Sequence, residues 1–423
     1  MSKEPNIRFR EFQDAWEEKS FSTQAETRRG LTYKPSSIEK DGVRVLRSSN
    51  IDDDKFVTSK EDVFVRKEAI NIDYAKENDI LITSANGSQR LVGKHCLIKG
   101  IGKKDTVHGG FMLLASANNP NFLNASMSSK WYEDFIRIYV AGGGGAIGNL
   151  NKADLDSQII LVPSQDEQDK IGDFFAAFDE LIDGKQRELD KRRQLKAALL
   201  EQMFPAGGAD TPKVRFNGFT EPWQRASLVD LFDLSVRHFS HSRDFLTSSP
   251  QQVATIHYGD ILVKYGSVVS FGKDDIPYIA SSKVEDYKSA SLQDGDVVMA
   301  DTAEDEVAGK VVEIRNVGAN CIVAGLHTIV ARPKVSFAPN YCGYFFNSPL
   351  YHNQLLPLMQ GIKVLSINKP ALEPTLVYYP SSLEEQEKIG NLLSDLDASI
   401  SGIIEQMQKL RKIKKALLER MLI

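Results

Sequence analysis

Three glycines, Gly143, Gly145 and Gly148, stand in the stretch YVAGGGGAIGNLNKADL (residues 139–155) at the G-x-G-x-x-G spacing that cradles a dinucleotide pyrophosphate. They follow a strand-like run, FIRIYV (135–140), and an acidic residue, Glu167, comes about 20 positions later, as ribose recognition would ask. That chemistry also needs a helix N-terminus aimed at the anion. No amphipathic helix is legible after Gly148, and the next apolar run (159–162) reads as another strand, so the stretch reads as a flexible loop. His238 and His241 are spaced for one helical face, but no third metal ligand stands near them. His95, His108, His257, His327 and His352 have no partner that sequence can identify. The motifs GxxxxGK[ST], HExxH and GxSxG are absent. The remaining candidate chemistry is hydrogen bonding from two loops, TSANGSQR (83–90) and ADTAEDEV (300–307). Amides, hydroxyls and arginine read base edges as donors or acceptors, while carboxylates accept from the cytosine amino group. Plain loop divergence is the alternative reading.

These loops fall in one slot because the chain is written twice. PNIRFREFQDAW (5–16) recurs as PKVRFNGFTEPW (212–223), with Pro, Arg, Phe, Phe and Trp in place 207 positions on. VPSQDEQDKIGDFF (162–175) recurs as YPSSLEEQEKIGNLL (379–393). Glu167 and Gln168 lie over Glu385 and Gln386 at an offset of 218, which persists to Met203 over Met421. Weaker echoes set ENDILIT (77–83) over DGDVVMA (294–300), Gly93-Lys94 over Gly309-Lys310, and Gly110 over Gly325. Asn151-Lys152 and Leu155 lie over Asn368-Lys369 and Leu372, whereas the glycines do not recur apart from Gly144 against Gly361. Glu167 therefore belongs to a repeated junction and not to a nucleotide fingerprint. Each half runs through an opening motif, a variable globular part, a P-S-x-x-E-Q junction and a long helix.

From Gln165 no proline interrupts a helical pattern until Pro205, with apolar residues at Ile171, Phe175, Phe178, Ile182, Leu189, Leu199 and Met203. The second copy places Ile389, Leu393, Leu396, Ile400, Ile403, Met407, Leu410, Leu417 and Met421 in alternating steps of four and three, a heptad seam that Lys414 interrupts. Lys185, Arg192 and Lys196 stand at the equivalent seam positions of the first copy. Two seams in one chain predict mutual packing, and a helix over 166–203 would be ~57 Å long; one seam in an ordinary core is the alternative. The basic residues Lys191, Arg192, Arg193, Lys409, Arg411, Lys412, Lys414 and Lys415 read as a solvated face or as phosphate contacts. The variable parts mix β-rich runs (GVRVLRSSNI, DILITS, HCLIKG and FIRIYV; DILVKYGSVVSF, DVVMA, KVVEIR and HTIVARP) with fewer helical ones, an α/β mixed class without regular alternation.

At 423 residues, 42% hydrophobic and 26% charged, the chain has the composition of a multidomain soluble protein. Its three scattered cysteines and the lack of any apolar run approaching a membrane span or a signal-peptide core point to the cytoplasm. A net charge of −5 argues against a general basic coat for nucleic acid but leaves room for a local basic cleft.

The doubled order of motifs resembles the specificity subunit of type I restriction-modification systems. YKPSSIEKDGVRVLRSSNI and NDILIT carry the resemblance in the first half; IHYGDILVKYG, GDVVMADTAEDE and AGLHTIVARP carry it in the second, together with the repeated junction. The resemblance implies two α/β target-recognition domains (1–162 and 206–380) and two long helices (163–205 and 381–423) that form an antiparallel coiled coil with an internal pseudo-twofold. It implies a non-catalytic subunit that binds a bipartite double-stranded DNA target and serves defence against foreign DNA. It implies two methylation subunits using S-adenosylmethionine, and restriction subunits using ATP and Mg, so that no cofactor is expected on this chain. The DNA-contact candidates are Arg47, Ser48, Asn50, Thr83, Ser84, Asn86, Ser88, Gln89 and Arg90 in the first domain. In the second they are Lys264, Tyr265, Ser281, Lys283, Thr302, Glu304 and His327. Two readers on one face of B-DNA lie ~34 Å apart or a multiple of it, which the helix pair can span. The competing class is a coiled-coil protein-interaction scaffold; a stand-alone methyltransferase would need a cofactor glycine motif and an N/D-P-P-Y/F tetrapeptide, and neither is found.

Overall fold

The computed structural model describes residues 4–140, 148–206 and 208–423. The chain divides into two units, one formed by residues 1–186 with 405–423 and the other by 187–404. Both long helices are present, Gln165–Gln202 and Leu383–Met421, and each is divided between the two units.

In the first unit, Met112–Ala117 lies between Ala25–Arg29 and Ile80–Thr83, and His95–Leu97 adds to the far edge, all antiparallel. A second sheet sets Ile38–Leu46 between Thr106–His108, which runs parallel to it, and Val63–Val65. The second unit builds a five-stranded sheet in the order Phe232–Asp233, Thr328–Pro333, Val297–Ala300, Val311–Arg315, Val268–Ser270. Its second sheet carries Leu246–Thr247, Tyr278–Ile279, Val253–Ile256 and Cys321–Ala324. In each unit the strand after the opening motif pairs antiparallel with the strand before the long helix: Glu17–Ser20 with Ile159–Val162, and Gln224–Ser227 with Leu376–Tyr379.

Three local readings change. FIRIYV is not a strand but the end of a helix, Lys130–Tyr139, which buries Tyr132 and Phe135 on one face and leaves Ile138 exposed. A six-residue apolar run carries no period of its own, and here the buried pair at i, i+3 selects the helix. Residues 258–263 of the DILVKYG region are likewise helical (Tyr258–Val263), with the His257 ring accepting from Gly259 N at 3.2 Å as the cap. A short helix, Lys152–Ser157, does follow Gly148, and Lys369–Leu372 matches it in the second unit. The repeated Asn-Lys is explained by it: Asn151 accepts from Ala153 N and Asn368 from Ala371 N, each capping its helix. The glycine run 142–145 lies outside the described residues.

The repeated opening motif and junction form one latch, built once per unit. Glu167 and Glu385 are almost wholly buried, and each takes a two-pronged ion pair from the motif's arginine: Arg8 at 2.7 Å on both oxygens, Arg215 at 2.7 and 2.9 Å. The same arginines donate to the carbonyls of Asp14 and Glu221, which fold the motif back so that Trp16 and Trp223 enter their cores. The carboxylate partner raises both guanidinium pKa values. Gln168 and Gln386 donate to the carbonyls of Pro163 and Pro380, closing the turn into each helix. The glycine of K-I-G is a close approach: a Cβ on Gly172 would lie 2.8 Å from Phe122 N, and one on Gly390 2.6 Å from Pro339 O. Ile7 N donates to Arg420 O and Val214 N to Gln202 O, so each opening motif hangs on the C-terminal turn of a long helix.

The helix halves pack antiparallel within each unit. In the first, Ile171 and Phe175 share a core with Leu418, Met421 and Leu422; in the second, Ile389 and Leu393 share one with Met203 and Phe204. Of the seam residues, Phe175, Ile182, Leu189, Leu393, Leu396, Ile403 and Met407 are buried, while Phe178, Leu199, Ile400 and Leu410 are half-buried. The seam lysines are explained by a repeated ion pair: Lys414 meets Asp179, and Lys196 meets Asp397 at 2.5 Å, where Asp397 also accepts from Tyr344. Arg411 pairs with Asp53 at 3.0 Å, and Lys191, Arg192 and Arg193 stay exposed.

Removing one partner of a buried pair strands the other charge, at a cost of about 3–5 kcal/mol. Arg215→Met should therefore lower the unfolding free energy of the chain by that order, and Arg215→Lys should restore only part of it, for want of the fork. Chemical denaturation measures this; an unchanged midpoint in Arg215→Met would remove the latch from the account. Gly390→Ala should cost about 1–3 kcal/mol by overpacking, read in the same experiment, and a neutral result would show that the 339–341 segment yields freely.

Candidate nucleic-acid interface

The two candidate loops leave matching strands and return through the same pair of backbone hydrogen bonds. Thr83 N donates to Lys94 O and Gly93 N to Thr83 O; Ala300 N donates to Lys310 O and Gly309 N to Ala300 O, all at 2.8–2.9 Å. Gly93 and Gly309 close the slot at φ +86° and +89°, and a Cβ on either would lie within 2.5 Å of a side-chain methyl, of Ile136 or of Leu355. A short strand then pairs each loop with the segment before the capped helix: Ala85–Asn86 with Gly148–Asn149, and Thr302–Ala303 with Leu365–Ser366. The scaffold is one and its contents are two.

In the first unit the loop is joined to the turn at 47–50. Asn86 Nδ2 donates to Ser48 Oγ at 3.0 Å while its Oδ1 accepts from Ser88 N, which fixes the amide's orientation. Around that bond Arg47, Ser88, Gln89 and Arg90 are exposed, giving a surface of two guanidiniums, two amides and two hydroxyls. Three candidates do not belong to it. Asn50 is buried and fully used, accepting from Arg47 N and donating to Val57 O and to Asp62. Thr83 and Ser84 are also buried, because they complete the strand and its junction with Phe111.

In the second unit the slot holds Thr302, whose hydroxyl donates to Asp301 Oδ1 at 2.7 Å, and the exposed carboxylates of Glu304, Asp305 and Glu306. His327, at φ +52°, brings Nδ1 to 3.5 Å from Asp301 Oδ1 and sets its ring edge-on to Tyr258 at 5.2 Å. His257 lies beyond Tyr258; burial lowers its pKa, and its Nε2 has no hydrogen-bond partner. Asp301 belongs to the candidate loop, while Tyr258 and His257 add to the DNA-contact candidates, and the adjacent His257-Tyr258 is their signal in the sequence. Lys264 and Tyr265 are not in this group, since both bind the turn at Asp275, and Tyr265 is buried. Ser281 and Lys283 are exposed on the turn after Tyr278–Ile279, at the other sheet.

His241 and His108 serve the fold. His241 Nε2 meets Tyr287 OH at 3.0 Å, and His108, with Nε2 on Arg28 O at 3.1 Å, is pushed down to about 4 by burial. Among the described residues no three His, Cys, Asp or Glu are grouped to hold a metal, and no helix is long and apolar enough to cross a membrane.

Residues 14–191 match the family model of the type I restriction modification DNA specificity domain. The chain is 23% identical over 358 residues to the type I restriction enzyme MjaVIII specificity subunit of Methanocaldococcus jannaschii, covering 82% of this chain and 78% of that protein. It is 28% identical over 214 residues to the putative type I restriction enzyme MjaX specificity subunit of the same organism, covering 49% of this chain and 47% of that one. Its fold is that of the S subunit of a type I restriction-modification system from M. genitalium, with a TM-score of 0.56 at 12% identity over 99% of both chains. A chain solved for complex assembly and conformational transition of the type I system superposes with a TM-score of 0.52 at 15% identity, over 95% of this chain and 96% of that one. Residues 14–191 carry the matched domain and that domain's latch, slot and helix are repeated in the second half, so the chain is similar along its length to the specificity subunits of type I restriction-modification systems.

Proposed function

We propose that each unit reads one half of a bipartite duplex DNA target and that the chain directs methylation and restriction carried out by other subunits. The carrying observation is the slot: one strand pair, closed by one glycine, presents amides, hydroxyls and arginines in the first unit and carboxylates, a hydroxyl and a histidine in the second. Donors and acceptors exchanged on a constant backbone are what two different half-sites require. Arg47 and Arg90 suit guanine or the backbone phosphates, while Glu304 and its neighbours suit cytosine.

In this reading the chain performs no chemistry itself. Two methylation subunits bring S-adenosylmethionine, and restriction subunits bring ATP and Mg. The repeated latch offers two copies of one partner two equivalent surfaces, at the helix starts and the outer faces of the opening motifs.

Exchanging residues 17–161 for the matching segment of a related specificity subunit should change one half of the methylated motif and leave the other intact, as read by methylation mapping in the host. A change in both halves would end the two-reader account. The complex with its methylation subunits should also lose duplex affinity steeply as salt rises; affinity independent of salt would favour the protein-scaffold reading instead.

A further inference from the structure

Beside the acidic loop of the second unit stands a hairpin that no motif marked. Its strand Leu365–Ser366 pairs with Thr302–Ala303, and Gln360 and Ser366 exchange both backbone hydrogen bonds at 2.9 Å. Ile367 N donates to Asp301 O at 2.8 Å, so the base of the hairpin is tied to the residue that orients Thr302 and His327. The turn passes through Gly361 at φ +127°, where a Cβ would lie 1.9 Å from Val364 O; no other residue fits that backbone. This places Ile362 at the tip, 100% exposed, with Lys363 and Val364 exposed behind it. Ile362 buries nothing within the fold, yet the backbone that presents it is closely specified.

The neighbouring charge narrows what the tip can meet. The exposed Glu304, Asp305 and Glu306 repel phosphates, so what this loop offers a duplex is acceptors for base-edge donors and no backbone contact. A two-stranded ribbon fits the major groove, where carboxylates accept from the cytosine amino group and an apolar side chain meets the thymine 5-methyl. In the first half the aligned position is Gly145, which offers no side chain, so this contact would distinguish the two readers. We infer that the hairpin from Gln360 to Ser366 is a further base-reading element, which enters the major groove of the second half-site with Ile362 against thymine methyl groups. The inference rests on the proposed DNA reading and adds a residue of specificity to it.

The three native cysteines, Cys96, Cys321 and Cys342, are buried, so Ile362→Cys supplies a selectively reactive thiol for a photo-crosslinker. The probe is the full complex with methylation subunits on a duplex carrying its mapped target. Adducts on bases of one half-site, at or next to a thymine, and competed away by the same duplex but not by a scrambled one, are expected. Ile362→Asp should bind that duplex about ten-fold or more weakly with its thermal unfolding unchanged. Adducts on a protein subunit, on bases with no thymine adjacent, or on no base at all while the duplex is bound would overturn the inference and leave the two-reader account standing, as would wild-type affinity in Ile362→Asp. A complex that binds no duplex in any form would bring down both.

Discussion

A carboxylate shut away from water is tolerable only if a cation reaches it with the right geometry, and Glu167 and Glu385 hold that position at the starts of the two long helices. The arginine that meets each one lies in a segment far away in sequence, so satisfying the charge obliges the chain to bring the opening motif onto the helix. Everything else in the latch follows from that contact. The guanidinium also holds the carbonyl of Asp14 or Glu221, which turns the tryptophan inward, and the next residues pair as a strand with the one that leads into the helix. The globular part of each unit is thereby closed at its ends, and its interior is free to differ.

The helices obey a related constraint. A seam of leucines and isoleucines specifies that two helices pack but leaves their register weakly determined, and a lysine set into the seam settles it. Lys196 and Lys414 each have one carboxylate within reach on the facing segment, Asp397 and Asp179, and these four residues are repeats of one another. The polar interruptions are thus the most informative positions on the helices. Their environments still differ, since Tyr344 donates to Asp397 in the second unit while Asp179 lines a small cavity with Asn121, Asn124 and Ser128 in the first.

Within this frame the slot is where variation is permitted. Gly93 and Gly309 must close it, because a side chain there would strike Ile136 or Leu355, and Val92, Ala303 and Ala308 beside them belong to the cores, but residues 87–90 and 304–307 between them are exposed. The exposed residues of the slot can then change without repacking the core. The acidic loop of the second unit and the amides and arginines of the first are two fillings of one slot.

The two-fold organisation, the long helices and the junction were legible in the sequence because each depends on a pattern that repeats: matched motifs at fixed offsets, and apolar steps of four and three. The roles of Arg8, Glu167, Asn151 and Gly172 and of their second copies were not legible, although their recurrence was. A buried ion pair, a helix cap and a close approach are relations between segments far apart, and a residue's identity does not name its partner. The same limit explains the candidates that failed. Asn50, Thr83 and Tyr265 are polar residues beside the loops, but burial had already committed them to the fold, and only packing reveals which polar groups still face water. The run at 135–140 became a helix for the same reason: its apolar residues allow either period, and the core that receives Tyr132 and Phe135 chose between them. Sequence alone determined how many times the architecture is built and where its two long helices run; tertiary structure decided which side chains remain available to a ligand, because availability depends on neighbours the chain brings together only when it folds.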